Sequence, residues 1–152
     1  MKHLPTLVLG LALLGVCAHA SAAPNCTIKL KGDDRMQFDL KTATVSASCA
    51  SISIELQHTG KLPVAAMGHN VVVSATADVQ AIATAGMKAG AAGAYVPKGD
   101  ARVLAATPLV GGGGKTTAKL AGSKLKAGGD YTFFCSFPGH SSIMKGKLVV
   151  TK

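Results

Sequence analysis

Cys135, His140 and Met144 stand close together in the run Phe133-Phe134-Cys135-Ser136-Phe137-Pro138-Gly139-His140-Ser141-Ser142-Ile143-Met144. A thiolate, an imidazole and a thioether on one short stretch are ligands for a soft metal, and imidazole beside thiolate suits copper. Pro138-Gly139 turns the chain after a strand-like approach to Cys135, so His140 and Met144 can fold back toward the sulfur. An electron-carrying copper with a weak axial methionine needs a second histidine. Met67-Gly68-His69-Asn70 supplies His69, just ahead of an apolar strand. Taken singly, Cys135 reads as a buried thiol, His140 as a turn residue and Met144 as core. Together they spell C-x4-H-x3-M, a pattern that points to metal. Zinc competes poorly, because it prefers more cysteine, histidine or carboxylate and rarely uses methionine. A Cys135 nucleophile with His140 as base has no evident orienting carboxylate nearby and leaves Met144 and His69 without a role.

The ligand stretch needs strands to hold it. Ile28 and Leu30 alternate with polar neighbours, as do Ile52, Ile54 and Leu56. Further strand-like stretches are Val71–Val73, Arg102–Ala105, Thr116–Leu120, Tyr131–Cys135 and Lys147–Thr151. Half-buried strands require this alternation, and many short strands between turn signals predict an all-β, Greek-key β-sandwich. Residues 77–92 differ: they are alanine-rich, with Val79, Ile82, Ala83 and Met87 at helical spacing behind Asp78. One short inserted helix is expected there. Gly111–Gly114 precedes a strand and no helix, so it reads as a flexible turn and not a phosphate cradle. No internal repeat or second domain is evident.

The N-terminus has the layout of a secretory signal peptide. Lys2 and His3 precede the apolar run Leu7–Val16, and Ala20-Ser21-Ala22 fits a small-x-small cleavage site. We place the cut after Ala22, with Ala20 and Ala23 as alternatives, leaving 23–152 as one domain. The run is too short for a good membrane span, so no stable membrane insertion is expected. Cys17 leaves with the peptide, and Val16 before it disfavours a lipoprotein. Three cysteines remain. Cys135 sits among metal-type neighbours, so Cys26 and Cys49 are expected to pair, and export permits the bridge. Cleavage removes one basic and no acidic residue, leaving 15 Lys and Arg against 7 Asp and Glu. The lysines are dispersed, aromatics are few and tryptophan is absent, which speaks against nucleic-acid binding. The charge could steer an acidic partner.

With these residues in place, the mature chain resembles the azurins, small bacterial blue-copper proteins of the cupredoxin family. Met36-Gln37-Phe38, Leu56-Gln57-His58, Met67-Gly68-His69-Asn70, Ser123-Lys124-Leu125-Lys126 and Phe133 through Gly146 carry the match. Plastocyanin-like relatives have a shorter cysteine-to-histidine spacing than the four intervening residues here. The resemblance implies one type 1 copper held by His69, Cys135 and His140, with Met144 as distant axial ligand and the Gly68 carbonyl opposite. It implies the same Cys26–Cys49 bridge, and a brace from Asn70 that also hydrogen-bonds the thiolate, with Ser136 and Phe137 flanking the sulfur. His58 matches a histidine buried near the site. Leu62, Ala66, Met67, Met87 and Gly139 match an apolar docking patch around His140.

By this resemblance the chain is a periplasmic, monomeric electron carrier and not an enzyme. It would serve c-type cytochromes and respiratory reductases or dehydrogenases. One departure is Val71, where azurins often bury tryptophan, so the inner core must pack differently. Two other classes stay open. One is copper storage or delivery. The other is a fragment of a copper oxidase or reductase, which would need a second copper centre that the remaining histidines cannot build.

Overall fold

Strands that are apolar on one side bury that side by stacking in pairs of sheets. In the computed structural model, which describes residues 23–152, nine strands do this. They are β1 (Thr27–Asp33), β2 (Gln37–Phe38), β3 (Thr42–Ser46), β4 (Ser51–His58), β5 (Val72–Ala75), β6 (Ala105–Ala106), β7 (Lys115–Ala121), β8 (Tyr131–Phe134) and β9 (Lys145–Thr151). The first sheet has the order β2-β1-β4-β7 and the second β3-β9-β8-β5-β6. β1 pairs in parallel with β4, setting Ile28 beside Ile54 and Leu30 beside Leu56, and β3 pairs in parallel with β9. Parallel neighbours cannot be joined by a hairpin, so the chain crosses between sheets and returns, which is the expected Greek-key sandwich. The signal segment predicted over residues 1–22 lies outside the described residues.

The core lies between the sheets. Ile28, Leu30, Ile52, Ile54, Leu56 and Leu120 face Val45, Val73, Phe133, Leu148 and Val150 across it. Val71 is fully buried in the same cluster, and the Phe38 and Phe133 rings meet at 5.6 Å. The core is therefore filled without an aromatic at position 71. Cys26 is bonded to Cys49 and Cys135 is left as the free, buried cysteine among the described residues, as the sequence predicts.

The inserted helix is shorter than expected: α2 spans Val79–Ala89, with a 3-10 turn at Thr76–Asp78 before it and another at Ala91–Gly93 after it. Gly90, with φ at +62°, ends it. Its Ile82 and Ala83 pack on Val72 and Phe134, covering the outer side of the second sheet. Gly86 leaves room for the Tyr95 carbonyl, which a Cβ would strike.

Four elements depart from the sequence expectations. β2 and β3 go unpredicted, the second although Ala43 and Val45 alternate with threonines. A single-turn helix, α1 (Val64–Met67), follows Pro63, whose carbonyl accepts from the Ala66 and Met67 N–H groups. Arg102–Ala105 is not a strand, and only Ala105–Ala106 pairs. The Asp100 carboxylate takes the Arg102 N–H and its guanidinium, and the Val103 N–H donates to the Asp100 carbonyl, so the chain is still turning there. No helix among the described residues is long and apolar enough to cross a membrane.

The disulfide closes a loop across a separation of 23 residues. Replacing both Cys26 and Cys49 by serine should lower stability by about 3 kcal/mol in urea denaturation of the metal-free protein. An unchanged midpoint would show that the bridge constrains nothing.

Candidate metal centre

Four segments converge at one end of the sandwich. β1 ends at Gly32 and Asp33, and the loop after α1 brings Gly68, His69 and Asn70. β8 runs straight into Cys135, and the loop to β9 carries His140 and Met144. That loop is shaped locally. Gly139, with φ at +80°, reverses the chain and leads into a 3-10 turn at His140–Ser142. The His140 N–H donates to the Phe137 carbonyl and the Met144 N–H to the His140 carbonyl. The Cys135 N–H then donates to the Met144 carbonyl at 3.0 Å, closing the loop on itself. The sequence-predicted donors therefore meet because one tight turn folds the C-x4-H-x3-M stretch back beneath its own strand.

The geometry is that of a cation site. One ligand atom each from His69, Cys135 and His140 lies within 4.8 Å of the others, and all three residues are buried. Cys135 Sγ is 3.6 Å from His140 Nδ1, 3.9 Å from His69 Nδ1 and 3.8 Å from the Gly68 carbonyl oxygen. His69 Nε2 is 2.8 Å from the Asp33 carbonyl, which only an N–H on that nitrogen satisfies. The neutral ring then turns a bare Nδ1 inward, 3.0 Å from the Gly68 oxygen. Lone pairs facing one another in a dry site are unfavourable unless a cation joins them. Met144 is fully buried beside this group. Gly32 makes room for it: a Cβ there would lie 2.8 Å from Met144 Cε and 2.9 Å from His69 Cδ2. Gly32 is a site residue that sequence reasoning missed, since a lone glycine at a strand end carries no local signal.

Burial sets the protonation of the metal-free site. It pushes the Cys135 thiol up to about 11, against the opposing pull of the Asn70 and Phe137 backbone N–H groups. Burial, then the neighbouring His69 and His58 rings, brings His140 down to about 4. Burial likewise lowers His69. At neutral pH both imidazoles are therefore free bases, and a metal need displace only the thiol proton.

The surroundings pin the donors. The Ser136 N–H donates to Asn70 Oδ1 at 2.9 Å, and Asn70 Nδ2 donates to Ser136 Oγ and to the Ala94 carbonyl, each at 2.8 Å. The Asn70 side chain thus ties the ligand loop to a corner that the sequence does not reveal. Ala94 and Tyr95 in that corner both have positive φ, at 53° and 55°, which is costly for residues with a Cβ. The Tyr95 ring meets Phe137 edge-on at 5.3 Å, and Phe137 lies 4.7 Å from His140. His58 stacks on His69 at 4.2 Å. Its Nε2 lies 2.9 Å from the Met67 carbonyl and its Nδ1 accepts the Gly60 N–H.

Of the residues that the resemblance places in a docking patch, Leu62 and Met87 are 41% and 52% exposed, Ala66 and Gly139 are exposed, and Met67 is half-buried. Val64 and Ile143, at 42% and 50%, are further exposed apolar residues that were not foreseen. His140 itself keeps only 2% exposure. Gly111–Gly114 is a turn, as predicted, but a closely packed one: the Gly112 N–H donates to the Leu62 carbonyl, and a Cβ on Gly111 would meet the Val64 backbone.

Two measurements follow on the metal-free protein. Asn70→Ala strands the Ser136 N–H in a dry loop and should cost about 2–3 kcal/mol in urea denaturation; a cost under about 1 kcal/mol would contradict the brace. Because the folded values of His69 and His140 lie below the ordinary 6.5, their stabilisation is present above pH 6.5 and lost as pH falls toward 4. The urea midpoint should fall across that interval, and less steeply in His140→Asn. Asp33 and Asp100, lowered from 3.8 chiefly by Arg35 and Arg102, act below it. A flat profile between pH 6.5 and 4 would refute the assignment.

Comparison with known proteins agrees with this geometry. The family of copper binding proteins described as the plastocyanin/azurin family matches residues 24–151. The azurin of Alcaligenes faecalis is 54% identical over 123 residues, covering 81% of this chain and 96% of that protein. The azurin of Pseudomonas aeruginosa is 42% identical over 139 residues, covering 91% and 94%. Among solved structures, the azurin Az-iso2 of Methylomonas sp. strain J superposes with a TM-score of 0.80 at 41% identity, covering 84% of this chain and 98% of that one. The fold is the cupredoxin fold, and His69, Cys135 and His140 form a type 1 copper site of the kind that carries electrons. The chain belongs to the plastocyanin/azurin family of copper-binding proteins.

Proposed function

We propose that residues 23–152, released from a signal peptide over 1–22, act as a monomeric, single-domain electron shuttle of the periplasm. It passes single electrons between redox proteins such as c-type cytochromes and respiratory reductases or dehydrogenases, and turns over no substrate. His69 Nδ1, Cys135 Sγ and His140 Nδ1 would hold the copper strongly, with Met144 and the Gly68 carbonyl as weaker contacts. The observation that carries this reading is the buried triangle of those three donors, all within 4.8 Å of one another. When bound, copper supplies the Cu(II)/Cu(I) couple.

The chain's own residues do the rest. Asn70, Ser136 and the closed loop from Cys135 to Met144 keep the donors where they are, so little has to move when charge changes. Phe133 and Phe137 exclude water. His140, at the surface end of the cluster, is the way out, and Leu62, Ala66, Met67, Met87 and Gly139 form the patch on which partners dock briefly. Weak redox encounters use small contacts of this kind, and methionines adapt to varied surfaces. Storage or delivery fits less well, because a pinned and buried set of donors resists release.

The test compares two rates on the copper-loaded protein. Electron exchange with a c-type cytochrome should be far faster than loss of copper to a chelator; the opposite order would favour delivery. Met144→Leu should keep the visible colour and shift the reduction potential. Loss of all copper binding in that variant would contradict an axial role.

A further inference from the structure

The outer face of the first sheet carries a one-sided charge. Along β1, β4 and β7 the inward residues are buried and mostly apolar, so the outward ones are Lys29 and Lys31, Glu55 and Gln57, and Lys115, Thr117 and Lys119. The register puts Lys31, Gln57 and Lys115 in one row and Lys29, Glu55 and Thr117 in the next. Strand spacing of about 4.8 Å sets Lys31 and Lys115 about 10 Å apart. A groove of about 270 Å³ runs between them, lined also by Lys29, Asp39 and Glu55.

The neighbouring carboxylates are already engaged. Asp33 is bound to the Arg35 guanidinium, Asp34 accepts the Lys61 and Leu62 N–H groups, and Asp39 accepts the Lys31 N–H. Glu55 reaches Lys29 at only 4.0 Å, and Lys29 remains 76% exposed. Among the described residues no other lysine has a carboxylate within ion-pair distance. Lys31, Lys61 and Lys115 are exposed cations without a partner at the site end of this sheet.

Their position matters. Lys31 precedes Gly32, which lies against Met144 and His69. Lys115 follows the glycine turn that packs on the Leu62 and Val64 backbone, and Lys61 adjoins Leu62 itself. The basic flank thus adjoins Leu62 and Val64, which are exposed apolar residues.

We propose that Lys31, Lys61 and Lys115 form a docking flank for an acidic redox protein, orienting its carboxylates beside the sandwich while its apolar spot covers the adjoining Leu62 and Val64. Exposed lysines contribute little to a stable contact, but they raise encounter rates and select orientation. The proposal rests on the electron-transfer reading above and deepens it by naming the partner's chemistry.

Stopped-flow electron exchange tests it, using the copper-loaded protein with a c-type cytochrome of net negative charge and one of net positive charge. From 10 to 300 mM ionic strength the rate with the acidic cytochrome should fall about tenfold or more. K31E/K61E/K115E should lose most of the low-salt rate and its salt dependence. The charge-matched K126E/K147E/K152E, whose lysines lie away from this flank, should retain most of both. All variants should keep the visible band, which verifies folding. Equal losses in the two triple variants would mean that net charge alone acts, and would overturn the proposal. So would a salt-independent rate. So would a flank variant that lost only its binding to phosphatidylglycerol vesicles, which would assign the lysines to a membrane surface. Absence of exchange with both cytochromes at every salt concentration, the band being intact, would instead refute the shuttle reading on which the flank depends.

Discussion

The Asn70 carboxamide ties the loop after α1 to the loop after β8 with two buried hydrogen bonds to Ser136, across a separation of 66 residues. Those loops carry His69 on one side and Cys135, His140 and Met144 on the other. Were they free to part, a thiol and two imidazoles would gain water and lose their common geometry. Joined, they hold three donors in a dry space where burial suppresses the charged form of each. The strands on either side serve this junction. β1 supplies the Asp33 carbonyl that orients His69, and β8 presents Cys135 as the last inward step of its alternation.

The same junction explains a local cost elsewhere. Ala94 and Tyr95 adopt left-handed backbone without glycine, and the payment secures a carbonyl aimed at Asn70 and a ring edge on Phe137. α2 backs this corner, since Gly86 lets the Tyr95 carbonyl approach the helix. An element whose apolar face covers only the outside of the second sheet thereby supports the ligand loop. Around the site, polarity is divided: Leu62, Val64, Met87 and Ile143 are exposed apolar side chains, while lysines gather on the neighbouring sheet face, where Asp34 and Asp39 accept backbone N–H groups and Asp33 holds Arg35.

Much of this was legible in the chain itself. The alternation of Ile52, Ile54 and Leu56 fixed a strand and its buried side, and the spacing C-x4-H-x3-M announced a metal loop closed by Pro138-Gly139. The elimination of Cys135 from disulfide bonding led to the correct bridge. What stayed hidden depends on contacts distant in sequence. Gly32 matters because Met144 and His69 lie against it, and nothing near Gly32 says so. The Ala94 carbonyl is a partner of Asn70 only after folding. Arg102–Ala105 has strand-like residues, but the Asp100–Arg102 pair keeps the segment turning. The one-turn α1 is too short for any periodicity and owes its start to Pro63.

The account is tested most directly by titrating Cu(II) into the metal-free protein while recording the visible spectrum. An intense thiolate-to-copper band should grow to an end point of one copper per chain, and Cys135→Ser should abolish it with the Cys26–Cys49 bridge intact. No band, a band that survives in Cys135→Ser, or an end point above one would contradict a single copper held by the Cys135 thiolate.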